Sequence, residues 1–270
     1  MHTTLHRVVV DVREMVREQF EYRELLAQMT RRDLLLRYKQ AVMGVGWALF
    51  MPLTNTVIFS VIFTRVAPID TGLPYPVFAY CGLLAWNFFA SALRFSVGSL
   101  TSNSNLVTKV YFPREIFPFS AVLVSLADFA VGFVVLAALM VYYGITPGLA
   151  LLALPLVLVI HVIFTAGVAL ILAMANLFYR DVKYLFEVMI TIWMFSTSVL
   201  FPIQLVEGRA RWYFLLNPMT PIIDAYRAVI LWGQWPDVPT LLPTAIMAVL
   251  TLGSAWLMFH RAESSFAENI

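Results

Sequence analysis

Charge is what this sequence lacks. Only 13% of its 270 residues are Asp, Glu, Lys or Arg, while 61% are hydrophobic and the mean hydropathy is +0.81. A soluble domain carries about 25% charged and about 45–50% apolar residues. So few charges cannot cover so much apolar surface, which excludes a soluble enzyme, a disordered tail, and a collagen-like or disulfide-built scaffold. Cys81 stands alone, so neither an intrachain disulfide nor a cysteine metal cluster can form. The 18 basic and 16 acidic residues are too evenly balanced for a nucleic-acid binder. Catalytic patterns are missing as well. There is no Gly-x-x-x-x-Gly-Lys-Ser/Thr to cradle a nucleotide, no His-Glu-x-x-His and no Gly-x-Ser-x-Gly, and the histidines His2, His6, His161 and His260 are scattered. Neither a metal site nor a catalytic site of its own is expected. The first forty residues are charge-rich where an apolar signal core would stand, so the first hydrophobic span is expected to be a retained anchor.

What is present is long uncharged stretches. A helix needs roughly 20 apolar residues to cross the hydrocarbon, and six such stretches can be placed, near 45–65, 75–98, 117–142, 149–177, 185–202 and 239–259. The long run from Phe129 to Tyr179 breaks at Tyr142-Tyr143-Gly144-Ile145-Thr146-Pro147-Gly148, where glycine and proline signal a turn and tyrosines suit the interface. The fold class is therefore an all-α polytopic membrane protein, with a segment 1–39 ahead of a single transmembrane domain, 40–270. Fourteen basic residues fall on one face: Arg7, Arg13, Arg17, Arg23, Arg31, Arg32, Arg37, Lys39, Arg94, Lys109, Arg114, Arg180, Lys183 and Arg261. The other face has only Arg65, Arg209, Arg211 and Arg227. The positive-inside rule then puts both termini in the cytoplasm.

Two segments are not plain spans. Within 203–237, the apolar runs Trp212–Asn217 and Ile222–Trp232 are bracketed by Pro218, Pro221 and Pro236 and are too short to cross, which predicts two short re-entrant helices. In the N-terminal segment, Val12, Met15, Val16, Phe20, Leu25, Leu26 and Met29 give one apolar face. That suits a helix in the cytoplasmic interface or one packed on a partner, and Thr30 is placed to cap a second helix beginning at Arg31.

Ionisable residues at membrane depth are functional candidates by default. Asp128 and His161 lie at matching distances from the turn near Ile145, so a hydrogen bond across an antiparallel hairpin is expected, either as polar glue between helices or as part of a proton relay. The loop Leu100–Pro118 offers Ser and Asn caps, with Leu106 and Val110 on one helical face, and reads as a docking element; the turn around Asn176, Arg180 and Asp181 is a second cytoplasmic candidate.

At these residues the sequence resembles the permease subunits of ABC-2 type polysaccharide exporters, chiefly those of O-antigen, with teichoic acid and capsule exporters as relatives. Arg37-Tyr38 followed by Gly44, Trp47 and Pro52 resembles the family's approach to the first span, with Met43 where Leu is common. Leu106, Lys109 and Phe112-Pro113-Arg114-Glu115 resemble its loop between spans two and three. Asn176 with Arg180-Asp181 resembles the turn between spans four and five, and Asn217-Pro218 the external region. The resemblance implies a homodimeric pore in a bacterial inner membrane, paired with two copies of an ABC ATPase that binds the ATP and Mg. It further implies ATPase coupling through Asn103, Leu106, Lys109, Phe112, Pro113, Arg114, Glu115, Arg180 and Asp181. The cargo it implies is a lipid-linked polysaccharide, whose pyrophosphate would meet Arg31, Arg32, Arg37 and Lys39. Trp193, Phe195, Trp86 and Phe89 are expected as pore aromatics. A small-molecule ABC-2 efflux permease, a secondary carrier and a membrane transferase are the other classes; the carrier needs coupled intramembrane charges, for which only Asp128 and His161 are available.

Overall fold

The computed structural model describes residues 13–39, 46–109 and 112–266, and among these there are helices and no strand. The N-terminal segment forms α1 (13–21) and α2 (Arg23–Tyr38), broken at Tyr22. The expected break at Thr30 is absent, because its hydroxyl donates to the Leu26 carbonyl one turn back (2.8 Å) and is satisfied inside a continuous helix. Much of the apolar face turns onto the chain's own bundle. Met15 is buried, and Tyr22, Leu25, Leu26 and Met29 pack on a cluster of Leu100, Phe117, Leu170, Phe259 and Phe266 at the end of the bundle. Phe20, Leu35 and Leu36 remain exposed.

α3 (Gly46–Val61) carries Pro52 inside and runs into a π-helical turn, Ile62–Val66. α4 (Tyr75–Val97) is the hub, apolar all round and buried against α3 and the helices that follow. After the short helices α5 (Ser99–Ser102) and α6 (Ser104–Lys109) comes α7 (Ile116–Tyr142), laid along α4. Gly132 permits the close crossing, since a Cβ there would lie 2.5 Å from Leu84 Cδ1. The predicted hairpin turn is present, with Gly144 at φ +70. A 3-10 turn (Leu149–Ala153) leads into α8 (Leu154–Phe178), and α9 (Val182–Phe195) follows. Then come α10 (Gly208–Leu216), α11 (Met219–Ile230) and α12 (Val238–Ala262), the last packed along α8. Gly167 lies at that crossing, where a Cβ would meet the Leu252 nitrogen at 2.7 Å.

Among the described residues, four helices are long and apolar enough to cross a bilayer: Tyr75–Val97, Ile116–Tyr142, Leu149–Phe178 and Val238–Ala262. The first and fifth expected spans are shorter elements, 16 residues in α3 and 14 in α9. α9 stops at Phe195, well short of the expected 202. The two short helices expected within 203–237 are present as α10 and α11 and differ in character. α11 is sunk in the bundle, with Ile222, Ile223, Tyr226 and Val229 buried, whereas α10 leaves Trp212, Tyr213 and Leu216 exposed.

Candidate functional site

Why α9 ends early can be read from one side chain. Arg227, on α11, has no solvent exposure. Its guanidinium donates to the carbonyls of Ser198 (2.6 Å) and Val199 (2.5 Å), pairs with Asp224 (3.5 Å) and lies 3.7 Å over the Phe78 ring. Carbonyls just past the end of α9 thus accept from the two terminal nitrogens of a buried cation, whose Nε is left without a partner. Ser198 Oγ also donates to Asp224 (3.2 Å). Asn217 fastens the same junction. Its amide donates to the Ser196 carbonyl (2.9 Å) and Thr197 Oγ1 (2.7 Å), while its oxygen accepts from Trp193 Nε1 (2.9 Å) and from the Met219 amide (3.2 Å). The Asn217-Pro218 pair therefore ties the end of α9 to the start of α11.

At the opposite end, α2 is held to α7. Arg37 and Tyr38 both bond the Asp128 carboxylate, and Arg37 lies 3.7 Å over the Phe95 ring. Burial, reinforced by the bond to Asp128, pushes the Tyr38 phenol up to about 12. Arg32 pairs with Asp33 (2.8 Å) and donates to Asn103 (3.1 Å), and Ser120 donates to Asp33 (3.0 Å). Of the four residues expected to meet a pyrophosphate, Arg32 and Arg37 are thus engaged within the chain, while Arg31 and Lys39 are exposed. A cleft of about 460 Å³ opens beside them, lined by Arg37, Arg94, Lys183 and Asn103. Arg94 is also bidentate to Glu187 on α9 (3.0 and 3.1 Å). The sequence did not flag that pair, because nothing in one chain's pattern brings positions 94 and 187 together.

The expected Asp128–His161 bond is not formed. α7 packs chiefly on α4 and α2, and α8 on α12 and α4, so the two helices are not the tight antiparallel neighbours that the equal spacing assumed. His161 is buried edge-on to Phe88 (4.8 Å), with Nδ1 3.4 Å from Tyr226 Oη. Asp128 is bound from α2 instead, by Arg37 and Tyr38.

The coupling candidates divide. Lys109, Arg180 and Asp181 are exposed, and Leu106 is half-buried. A second cleft, about 410 Å³, lies between α6 and the α8–α9 turn, lined by Ser104, Asn176, Arg180 and Lys183. Phe112, Pro113 and Glu115 are buried within the chain rather than presented on its surface. Trp256 Nε1 donates to Glu115 (3.1 Å), and the Arg114 amide donates to Glu263 (3.0 Å), so this loop clasps the end of α12. Burial raises the Glu263 carboxyl above its ordinary value, and burial also raises that of Glu18. Among the expected pore aromatics, Trp86 and Phe89 lie inside the bundle. Both are buried, and Phe89 stacks on Phe164 (5.7 Å) and meets Trp193 edge-on (5.0 Å). Phe195 is exposed and borders an apolar groove with Phe59, Ile62 and Phe63. No group of three or more metal-ligating side chains occurs among the described residues.

Comparison with known proteins adds the family context. Residues 24–231 match the ABC-2 type transporter family. The O-antigen export system permease protein RfbA of Myxococcus xanthus is 30% identical over 259 residues, covering 95% of this chain and 99% of the relative. A protein of the same name from Klebsiella pneumoniae is 31% identical over 212 residues, 78% of this chain and 81% of its own. The polysialic acid transport protein KpsM of Escherichia coli is 22% identical over 260 residues, 93% and 98% respectively.

Proposed function

The chain belongs to the ABC-2 type transporter family, and from that premise we propose that it is the permease of an ATP-driven exporter moving a lipid-linked polysaccharide, an O-antigen, out across the bacterial inner membrane. The observation that carries the reading is the 30% identity, end to end, to an O-antigen export permease. The chain crosses six times, with α3 and α9 as the two shorter crossings and both termini in the cytoplasm, in keeping with the fourteen basic residues on that face. Two copies form the pore. Supporting this, α3 and α9 expose Val57, Ile58, Val61, Val188, Met189, Ile192 and Phe195, an apolar surface on the two elements least able to span alone.

ATP and Mg are bound by a separate ABC ATPase, two copies per exporter. The exposed Lys109 on α6 and Asp181, with Arg180 of the 410 Å³ cleft, form the surface that meets it. Hydrolysis can move the pore only if the ATPase states differ in their contacts here. The 460 Å³ cleft with Arg37, Arg94 and Lys183 suits an arriving anionic headgroup, assisted by the exposed Arg31 and Lys39. The likeness to KpsM supports a second reading, export of a capsular polymer, at lower identity.

The test is genetic and biochemical together. A strain lacking this chain should lose its surface O-antigen and recover it on re-expression, and an ABC ATPase should co-purify with the chain. Undiminished surface polymer, or a chain that never retains an ATPase, overturns the reading.

A further inference from the structure

At the end of the bundle away from α1 and α2, a cleft of about 350 Å³ opens between α11, the Ile203–Leu205 turn and the start of α12. Two indoles (Trp232 and Trp235), two carboxylates (Asp224 and Asp237) and two amides (Gln204 and Gln234) line it. That size falls in the range of ligand pockets, about 300–1,000 Å³.

The walls are fixed by bonds independent of any ligand. Trp232 packs on Phe78 of the hub helix, ring centroids 6.4 Å apart. Gly233, at φ +61, turns the chain directly against Gly148, where a Cβ would lie 3.0 Å from the Gly233 Cα; the Gln234 amide then donates to the Ala228 carbonyl (2.8 Å). Asp224 commits Oδ1 to Ser198 and Arg227, which leaves its second oxygen for another donor. Asp237 commits Oδ2 to Thr240 (2.8 Å), with the same result. Trp235 is 65% exposed.

Each group has a use for a sugar ring. An indole face takes the apolar C–H side of a pyranose, carboxylate oxygens accept from hydroxyls, and side-chain amides both donate and accept. A tryptophan serving only as an interfacial anchor needs no converging acids and amides. Charge narrows the class further. No lysine or arginine is among the lining residues to meet a uronic or sialic acid, and the Asp237 carboxylate repels one, Asp224 being already paired with Arg227.

We propose that this cleft binds neutral saccharide units of the exported polymer on the far side of the membrane, apart from the pore. The inference rests on the export reading above and adds to it a site and a sugar class. Because Trp235 and Asp237 belong to the loop leading into α12, whereas Asp224 lies on α11 and accepts from Ser198 past the end of α9, a bound sugar would bridge the two.

The experiment uses the full chain with its co-purified ATPase in lipid nanodiscs and reads saturation-transfer NMR from two probes, mannotriose and an α2,8-linked sialic acid trimer. Mannotriose should receive transfer and the sialic acid trimer should not. Trp235→Ala should cut the mannotriose signal at least tenfold and Asp237→Asn severalfold, with the melting temperature of both variants unchanged. Silence from mannotriose on the wild-type complex, equal transfer to both sugars, or a signal that survives Trp235→Ala overturns the proposal. The export reading fails separately: surface polymer that persists without the chain sinks it whatever the NMR shows, whereas lost polymer with a silent cleft sinks only the cleft.

Discussion

Arg227 and Arg37 occupy matching positions at the two ends of α4. Each is bound to an aspartate, and each has its guanidinium carbon 3.7 Å from the centre of a phenylalanine ring, Phe78 at one end and Phe95 at the other. Their surroundings differ. Arg227 has no exposure and spends its donors on backbone carbonyls of a neighbouring helix end, whereas the Arg37 and Asp128 side chains keep 16% and 23% exposure and join α2 to the bundle. A sealed cation holds its partners permanently, because releasing it strands charge in an apolar interior. One at the edge has water available when its partner leaves and can be released at lower cost. The α11 end is therefore built as a lock and the α2 end as a clasp.

The largest effect should come from Arg227→Met. The Ser198 and Val199 carbonyls and Asp224 lose their partner together, and removing one member of a buried pair costs about 3–5 kcal/mol. Thermal unfolding of the purified chain measures this; a loss under about 1 kcal/mol would erase the distinction between the two ends. Gly82→Ala comes next. The new Cβ would stand 2.4 Å from Arg227 Nη2 and 2.5 Å from the Val199 carbonyl, and overpacking of this kind costs about 1–3 kcal/mol. Combined with Arg227→Met it should cost clearly less than the sum of the two, since one strain relieves the other.

Asp128→Asn tests the clasp. Weakening the bonds to Arg37 and Tyr38 should cost about 1–3 kcal/mol, concentrated on α2. Trypsin should cut faster at Arg37 and Lys39 while the melting temperature of the bundle changes little; global unfolding instead would make both ends locks. Arg94→Ala, removing an exposed pair with Glu187, should cost no more than about 1 kcal/mol, and less in high salt.

The smallest effect is one of pH. Glu263 and Glu18 have carboxyls raised above their ordinary 4.5 by burial, so the folded state holds protons that the unfolded chain has lost. Stability of the α2 end should therefore fall as pH rises from 4.5 through the raised values and then level off. Glu263→Gln should flatten that slope in amide exchange of the last turn of α12, and an unaltered slope would argue against its burial as the cause.

Much of the frame was legible because membrane burial writes long uncharged runs. The four long helices, the turn at Tyr142–Gly148 and both short helices near Pro218 follow from it. The interior of the frame was not, because periodicity gives faces without partners. Asp128 was recognised as a buried charge, yet pairing it with His161 assumed that consecutive helices are neighbours; a partner from α2, ninety positions away, left no local trace. Arg227 was counted among external charges, although Asp224 three residues earlier on the same face was the available sign of a buried pair. The burial of Phe112 and Glu115 was not legible either, since an apolar residue beside a proline looks alike whether it faces a partner or its own core.

The early end of α9 has one more consequence. Fourteen residues rise about 21 Å, against roughly 30 Å of hydrocarbon, and α3 is only slightly longer before its π-helical turn. Lipid touching these two elements would have to thin by several ångströms, at a cost that grows with each ångström of mismatch. On the six-span reading proposed above, bilayers of short-chain lipids should tolerate the isolated chain and long-chain lipids should drive its short helices together, which would make membrane thickness an assembly force.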